Sequence, residues 1–106
     1  MALFKFKVYL DDTRPTPLGW VRAYWPKEVI TFLKTGMVTE ISLDHDLGND
    51  KKGTGYDVLT WLEEQVAMNG FVPPKINIHT ANPTAFARMW AAKKSIEKYH
   101  QANLKG

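Results

Sequence analysis

A chain of 106 residues, 44% hydrophobic and 24% charged, has the size and apolar content of one small globular domain, expected to span residues 1–106. With no cysteine, disulfides and thiolate–metal centres are excluded, and a reducing cytoplasm is the expected location. No apolar run approaches the roughly 20 residues of a membrane span, the Met1–Lys7 start is too short and too charged for a secretory signal, and a formal charge of +3 is too ordinary to name an anionic partner by itself.

Phe4 to Leu10 is a β-rich run ended by Asp11-Asp12. The stretch Thr13-Arg14-Pro15-Thr16-Pro17-Leu18-Gly19 holds too much Pro and Gly for regular structure and predicts a structured loop. Trp20 to Trp25 predicts a second strand. Pro26 suits the first turn of a helix to about Lys34, with Val29, Ile30, Phe32 and Leu33 as its apolar stripe and Gly36 as its stop. Val38 to Leu43 predicts a third strand, followed by a loop from Gly48 to Gly53. Thr54 is placed to cap a second helix running to about Met68, where Val58, Leu59, Leu62 and Val66 recur at helical spacing before Asn69-Gly70. After Pro73-Pro74, Lys75 to Ile78 predicts a fourth strand. Asn82-Pro83 then supplies the cap and first turn of a last helix with Ala85, Met89, Ala92, Ile96 and Tyr99 on one face. The order is β-β-α-β-α-β-α, with no repeat or linker.

Three of these strands end in the same way. Val8-Tyr9-Leu10 runs into Asp11-Asp12, Ile41-Ser42-Leu43 into Asp44-His45-Asp46, and Ile76-Asn77-Ile78 into His79-Thr80-Ala81-Asn82. If the strands are parallel neighbours, their carboxyl ends share the edge at which open α/β sheets bind ligands. Four aspartates crowded there repel one another unless a cation or protons offset the charge. The pattern therefore points to a divalent metal and to phosphate chemistry around it.

These motifs resemble a known pattern. Asp11-Asp12, Asp44 and Thr80 are similar to the acidic pair, phosphoacceptor aspartate and switch hydroxyl of response-regulator receiver domains. More specifically, Leu10-Asp11-Asp12-Thr13-Arg14-Pro15, Gly19-Trp20, Leu43-Asp44-His45-Asp46-Leu47-Gly48, Gly53-Thr54-Gly55-Tyr56-Asp57 and His79-Thr80-Ala81-Asn82-Pro83 resemble the cyclic-phosphate-processing receiver-like family across nearly the whole chain. The resemblance implies a compact receiver derivative that handles cyclic phosphates on nucleotides or at RNA ends. Two departures from a true receiver argue against ordinary phosphorelay signalling: there is no helix between the first two strands, and no fifth strand with the receiver's lysine.

The residue types carry their own chemistry. Mg²⁺ takes one or two carboxylates and keeps several waters, so Asp12 and Asp44 are the first expected ligands, with Asp11 binding directly or through water and Asp46 completing the shell; Mn²⁺ is the alternative ion. Standing alone, Asp11-Asp12 reads as a strand-ending turn. His45 and His79 can transfer protons near neutral pH or bind metal, against the plainer reading of hydrogen-bonded side chains. Arg14 can grip phosphate bidentately, or pair with a neighbouring aspartate on the surface. Thr80 and Asn82, before the last helix, can hold an anion with its free N–H groups, and Asn82 can equally be a plain cap. Asp50 and Asp57 read as loop and helix-start acids.

Trp20, Trp25, Trp61 and Trp90 are expected mostly in the core, with Trp20 the one placed to touch substrate. Lys93, Lys94 and Lys98 read as a solvated face that can also steer nucleotide or RNA. The expected fold is a flavodoxin- or receiver-like three-layer α/β domain with a short parallel sheet in order 2-1-3-4. The expected function is a metal-dependent phosphoesterase acting on a cyclic or terminal phosphate, with Asp44, His79 and His45 as catalytic groups. Either activated water or Asp44 itself attacks phosphorus. The competing class is a non-catalytic module that binds a nucleotide or protein.

Overall fold

Val8 and Leu10, Ile41 and Leu43, and Ile76 and Ile78 alternate with polar or aromatic residues, the period of a strand with one face turned to a core. The computed structural model describes residues 4–47 and 53–105; Asp50 and most of the loop expected from Gly48 lie outside them. These segments form β1 (Phe6–Leu10), β2 (Trp20–Ala23), β3 (Val38–Leu43) and β4 (Lys75–Ile78), all parallel, in the order β2-β1-β3-β4. The helices are α1 (Pro26–Leu33), α2 (Gly55–Asn69) and α3 (Pro83–Lys105). This is the receiver-like α/β architecture and strand order that the sequence predicts.

Element ends follow local hydrogen bonding. β2 stops at Ala23 instead of reaching Trp25, because Glu28 Oε1 accepts the amides of Tyr24 and Trp25 at 2.9 and 3.0 Å and turns the chain into α1. At the start of α2, the Thr54 amide donates to Asp57 Oδ2 at 2.8 Å. At its end, Gly70 adopts φ 67° and its N–H reaches the Gln65 carbonyl, a left-handed cap that glycine adopts without steric cost. Asn82 Oδ1 accepts the Ala85 amide at 3.1 Å, so Asn82 does cap α3.

α2 packs against both α1 and α3, so the three helices stand side by side. Their buried residues, among them Val29, Leu33, Leu59, Leu62, Val66, Met89 and Ile96, form one cluster with Val8, Leu10, Ala23, Ile41, Leu43 and Ile76 of the sheet. Right-handed crossovers from β2 to β3 and from β3 to β4 run in one direction across the sheet and put α1 and α2 on the same face. The β1–β2 connection is the Pro-rich loop that the sequence predicts.

Two side-chain expectations, for Tyr99 and Trp90, are corrected. Tyr99 is 43% exposed, since α3, at 23 residues, outruns the short strand it packs on. Trp25 and Trp61 are half-buried and pack against the core, as expected, and Trp20 is half-buried, but Trp90 is 42% exposed. Met89 points into the core, so the next helical position is rotated away by roughly 100°.

Gly55 seats α2 against the sheet edge. A Cβ there would lie 1.9 Å from the Asp44 carbonyl oxygen, a backbone atom that cannot move aside. Gly55→Ala is expected to lower stability by about 1–3 kcal/mol or more, as overpacking does, despite alanine's better helix propensity. Urea unfolding of the variant checks this; a midpoint at or above wild type would show that α2 does not need this close approach.

Candidate active site

Sheet hydrogen bonding continues one residue past the strands and builds the site. Leu10, Leu43 and Ile78 are aligned across β1, β3 and β4. One step on, the Asp11 amide donates to Ala23 O at 3.1 Å, the Asp44 amide to Leu10 O at 3.0 Å and the His79 amide to Leu43 O at 3.0 Å. Backbone pairing thereby fixes Asp11, Asp44 and His79 side by side at the carboxyl edge. One ligand atom from each of the three lies within 4.8 Å of the others.

Asp11 is fully buried. Its Oδ1 accepts the Thr13 and Arg14 amides at 2.9 and 3.0 Å, and its Oδ2 meets His79 Nε2 at 3.0 Å and Arg14 Nη1 at 3.6 Å. Burial pushes its pKa up, but the amides of Arg14 and Thr13, with His79, outweigh that and hold it below the ordinary 3.8. Asp44 goes the other way. Burial, reinforced by the Asp11 charge, raises its pKa despite the His45 amide, which donates to Oδ1 at 2.8 Å. His79 is lowered from 6.5 by burial, against the opposing pull of Asp11 and Asp44.

His79 is held on every side. Nε2–H donates to Asp11, so Nδ1 accepts from the Ser42 hydroxyl at 2.7 Å, and the ring stacks flat on Tyr9 with centroids 4.4 Å apart. Arg14 Nη1 donates to the His79 carbonyl. Arg22 ties down the Pro-rich loop: Nε donates to Thr16 Oγ1 at 2.7 Å, Nη1 to the Asp11 carbonyl at 2.7 Å, and Nη2 to the Arg14 carbonyl. This fork geometry is specific to arginine.

The residues singled out from sequence thus divide. Asp11, Asp44, His79 and Arg14 are brought together. Asp12 is half-buried and not part of the cluster, and Asp46 is exposed and bonded to His45 Nδ1 at 2.9 Å. Thr80 accepts the Asn82 amide at 3.2 Å, so both side chains serve the entry to α3.

A comparison with protein families decides the relationship: the model of the cyclic-phosphate processing receiver domain matches residues 6–95. The chain belongs to that family. No curated protein and no solved structure matches it. Within this receiver domain, sequence reasoning passed over Ser42, Tyr9 and Arg22. Tyr9 and Ser42 lie two residues before Asp11 and Asp44, on the same face of the strand, so the alternation that located the acids could also have located what supports them.

The donor set fits a divalent cation. Two buried carboxylates stand together, one of them raised in pKa by burial and by the other's charge, and Asp44 Oδ2 has no hydrogen-bond donor among the described residues. Both nitrogens of His79 are engaged, which leaves the oxygens of Asp11 and Asp44 as the natural ligands and suits Mg²⁺ or Mn²⁺.

Proposed function

We propose that this receiver domain is a metal-dependent phosphoesterase acting on a cyclic or terminal phosphate of a nucleotide or RNA end. The observation that carries the reading is the alignment of Asp11, Asp44 and His79 on one edge, within 4.8 Å of one another, with the Arg14 guanidinium against them. A divalent cation held by Asp11 and Asp44 would supply Lewis acidity to the phosphate. Arg14, whose side chain is 43% exposed, offers donors to the non-bridging oxygens. His79, neutral at pH 7 because its pKa is lowered, accepts a proton from attacking water at Nδ1 once the Ser42 hydroxyl that donates to that nitrogen turns away. As the new P–O bond forms and the ring P–O bond breaks, the same proton passes to the departing oxygen. Asp44 as the attacking group is the alternative route, through an acyl phosphate that water then cleaves.

Incubation with a panel of nucleoside and RNA-terminal cyclic phosphates, with and without Mg²⁺ or Mn²⁺, tests the reading. Ring opening that requires the cation is the expected result. Acetyl phosphate should leave no lasting adduct. A stable phosphoryl mass increment lost in Asp44→Asn, with every cyclic phosphate intact, would overturn the enzyme reading in favour of signalling.

A further inference from the structure

α3 carries five cations, Arg88, Lys93, Lys94, Lys98 and Lys105, and one acid, Glu97, a net of +4 against +3 for the entire chain. Part of that charge is organised around exposed rings. Phe86 and Trp90 are 39% and 42% exposed and stack with centroids 6.0 Å apart at 15°. The Lys93 and Lys94 ammonium groups stand 4.6 and 4.9 Å from the Trp90 ring centroid. Phe86, Trp90, Lys93 and Lys94 follow at i, i+4, i+7 and i+8, so they line one flank of the helix, away from the buried Ala85, Met89, Ala92 and Ile96. Farther along, Lys94 and Lys98 line an open groove of about 560 Å³ together with Lys75 and His100. Glu97 is the acid there and pairs with Lys94 at 3.4 Å; among the described residues, Lys93 has no acid partner.

This strip starts within one turn of Asn82-Pro83, at the edge that holds Asp11 and Asp44. We propose that the α3 flank is a track for a single-stranded polynucleotide whose terminal phosphate enters the Asp11–Asp44 crevice. The phosphoesterase reading supplies the direction of the strand; the rings and lysines supply the track itself. Exposed aromatics interleaved with cations match a chain that alternates flat bases with phosphates. A second copy of this domain would bring like charges face to face, and an acidic peptide would leave the ring faces unused. The track selects polymer ends over free mononucleotides, since a mononucleotide in the crevice does not extend along α3.

The test is fluorescence anisotropy with a labelled oligouridylate of about ten nucleotides ending in a 2′,3′-cyclic phosphate. Wild type should bind it, with affinity falling as salt rises. Trp90→Ala should weaken binding about tenfold, and the Lys93→Ala/Lys94→Ala double variant should flatten the salt dependence by about 1.4 in log–log slope, two single-strand phosphate contacts. On a mononucleoside cyclic phosphate, Trp90→Ala should turn over like wild type, while its KM for the oligonucleotide rises. Equal oligonucleotide binding by wild type and both folded α3 variants would sink the track, as would a dimer in sedimentation that Trp90→Ala dissociates while no oligonucleotide binds. The two readings fail separately. Intact, Trp90-dependent binding with no turnover of any cyclic phosphate removes the phosphoesterase and leaves the track; turnover indifferent to Trp90 on polymer substrates removes the track alone.

Discussion

With divalent cations chelated, Asp44→Asn is expected to melt above wild type at pH 7, and millimolar Mg²⁺ or Mn²⁺ is expected to raise the melting temperature of wild type only. Asp44 is held 8% exposed beside the fully buried Asp11, and both burial and that neighbour raise its pKa. A carboxyl group raised in the folded state binds its proton more readily folded than unfolded. Its ionisation therefore costs stability as pH rises above the unfolded value of 3.8, and the cost is complete above the folded value. Asparagine removes the charge and keeps the shape, so the advantage of Asp44→Asn should shrink as the pH falls towards that value. Asp11, lowered instead of raised, contributes stability with the opposite sign and is common to both proteins, so the difference isolates Asp44. A cation at about a hundred times its Kd adds about 2.7 kcal/mol, on the order of 10 °C or more in a domain of this size. Scanning calorimetry with chelator and with each ion decides it. If Asp44→Asn melts below wild type without metal, or responds to the ion equally, the carboxylate pair does not hold a cation.

His79→Ala is expected to lower turnover by about 10²–10⁴-fold, the usual contribution of a positioned proton-transfer group, with cation affinity nearly unchanged. Burial favours the neutral imidazole, so its pKa sits below 6.5. The wild-type rate should consequently hold through pH 6.5 and fall only at more acid pH, and that acid limb should vanish in the variant. The alanine also frees the Ser42 hydroxyl and one oxygen of Asp11, so His79→Gln serves as a control that fills the space. A wild-type rate in both variants would mean that His79 only supports the Asp11 side chain.

Much of this was legible in the sequence because the strands are short and regularly alternating. Leu10-Asp11, Leu43-Asp44 and Ile78-His79 each mark where an apolar run stops, and in a parallel sheet such stops fall on one edge. The loop over Thr13 to Gly19 was legible too, in its Pro and Gly. Which way a helical side chain points was less so. Trp90 misled because bulk suggests burial, whereas helical phase next to Met89 sets its direction. Arg22 was invisible because its partners are mostly backbone carbonyls, at Asp11 and Arg14, and carbonyls carry no sequence signal. Asp12 and Asp46 show the converse limit, since proximity in sequence to a site residue does not carry a side chain into the site.

The amides of Asp11, Asp44 and His79 are bonded as members of the sheet although each lies just past its strand. A site on a flexible loop can relieve electrostatic repulsion by fraying, at the expense of order that a ligand must later restore. Here the repelling carboxylates are fixed by the same pairing that holds Leu10, Leu43 and Ile78 together, so local fraying cannot relieve them. Their repulsion is subtracted from the stability of the whole domain, and a cation that offsets it strengthens every element joined to the sheet. On the proposed reading, cation binding would for that reason be a property of the cooperative unfolding unit, at a site whose backbone is fixed before a ligand arrives.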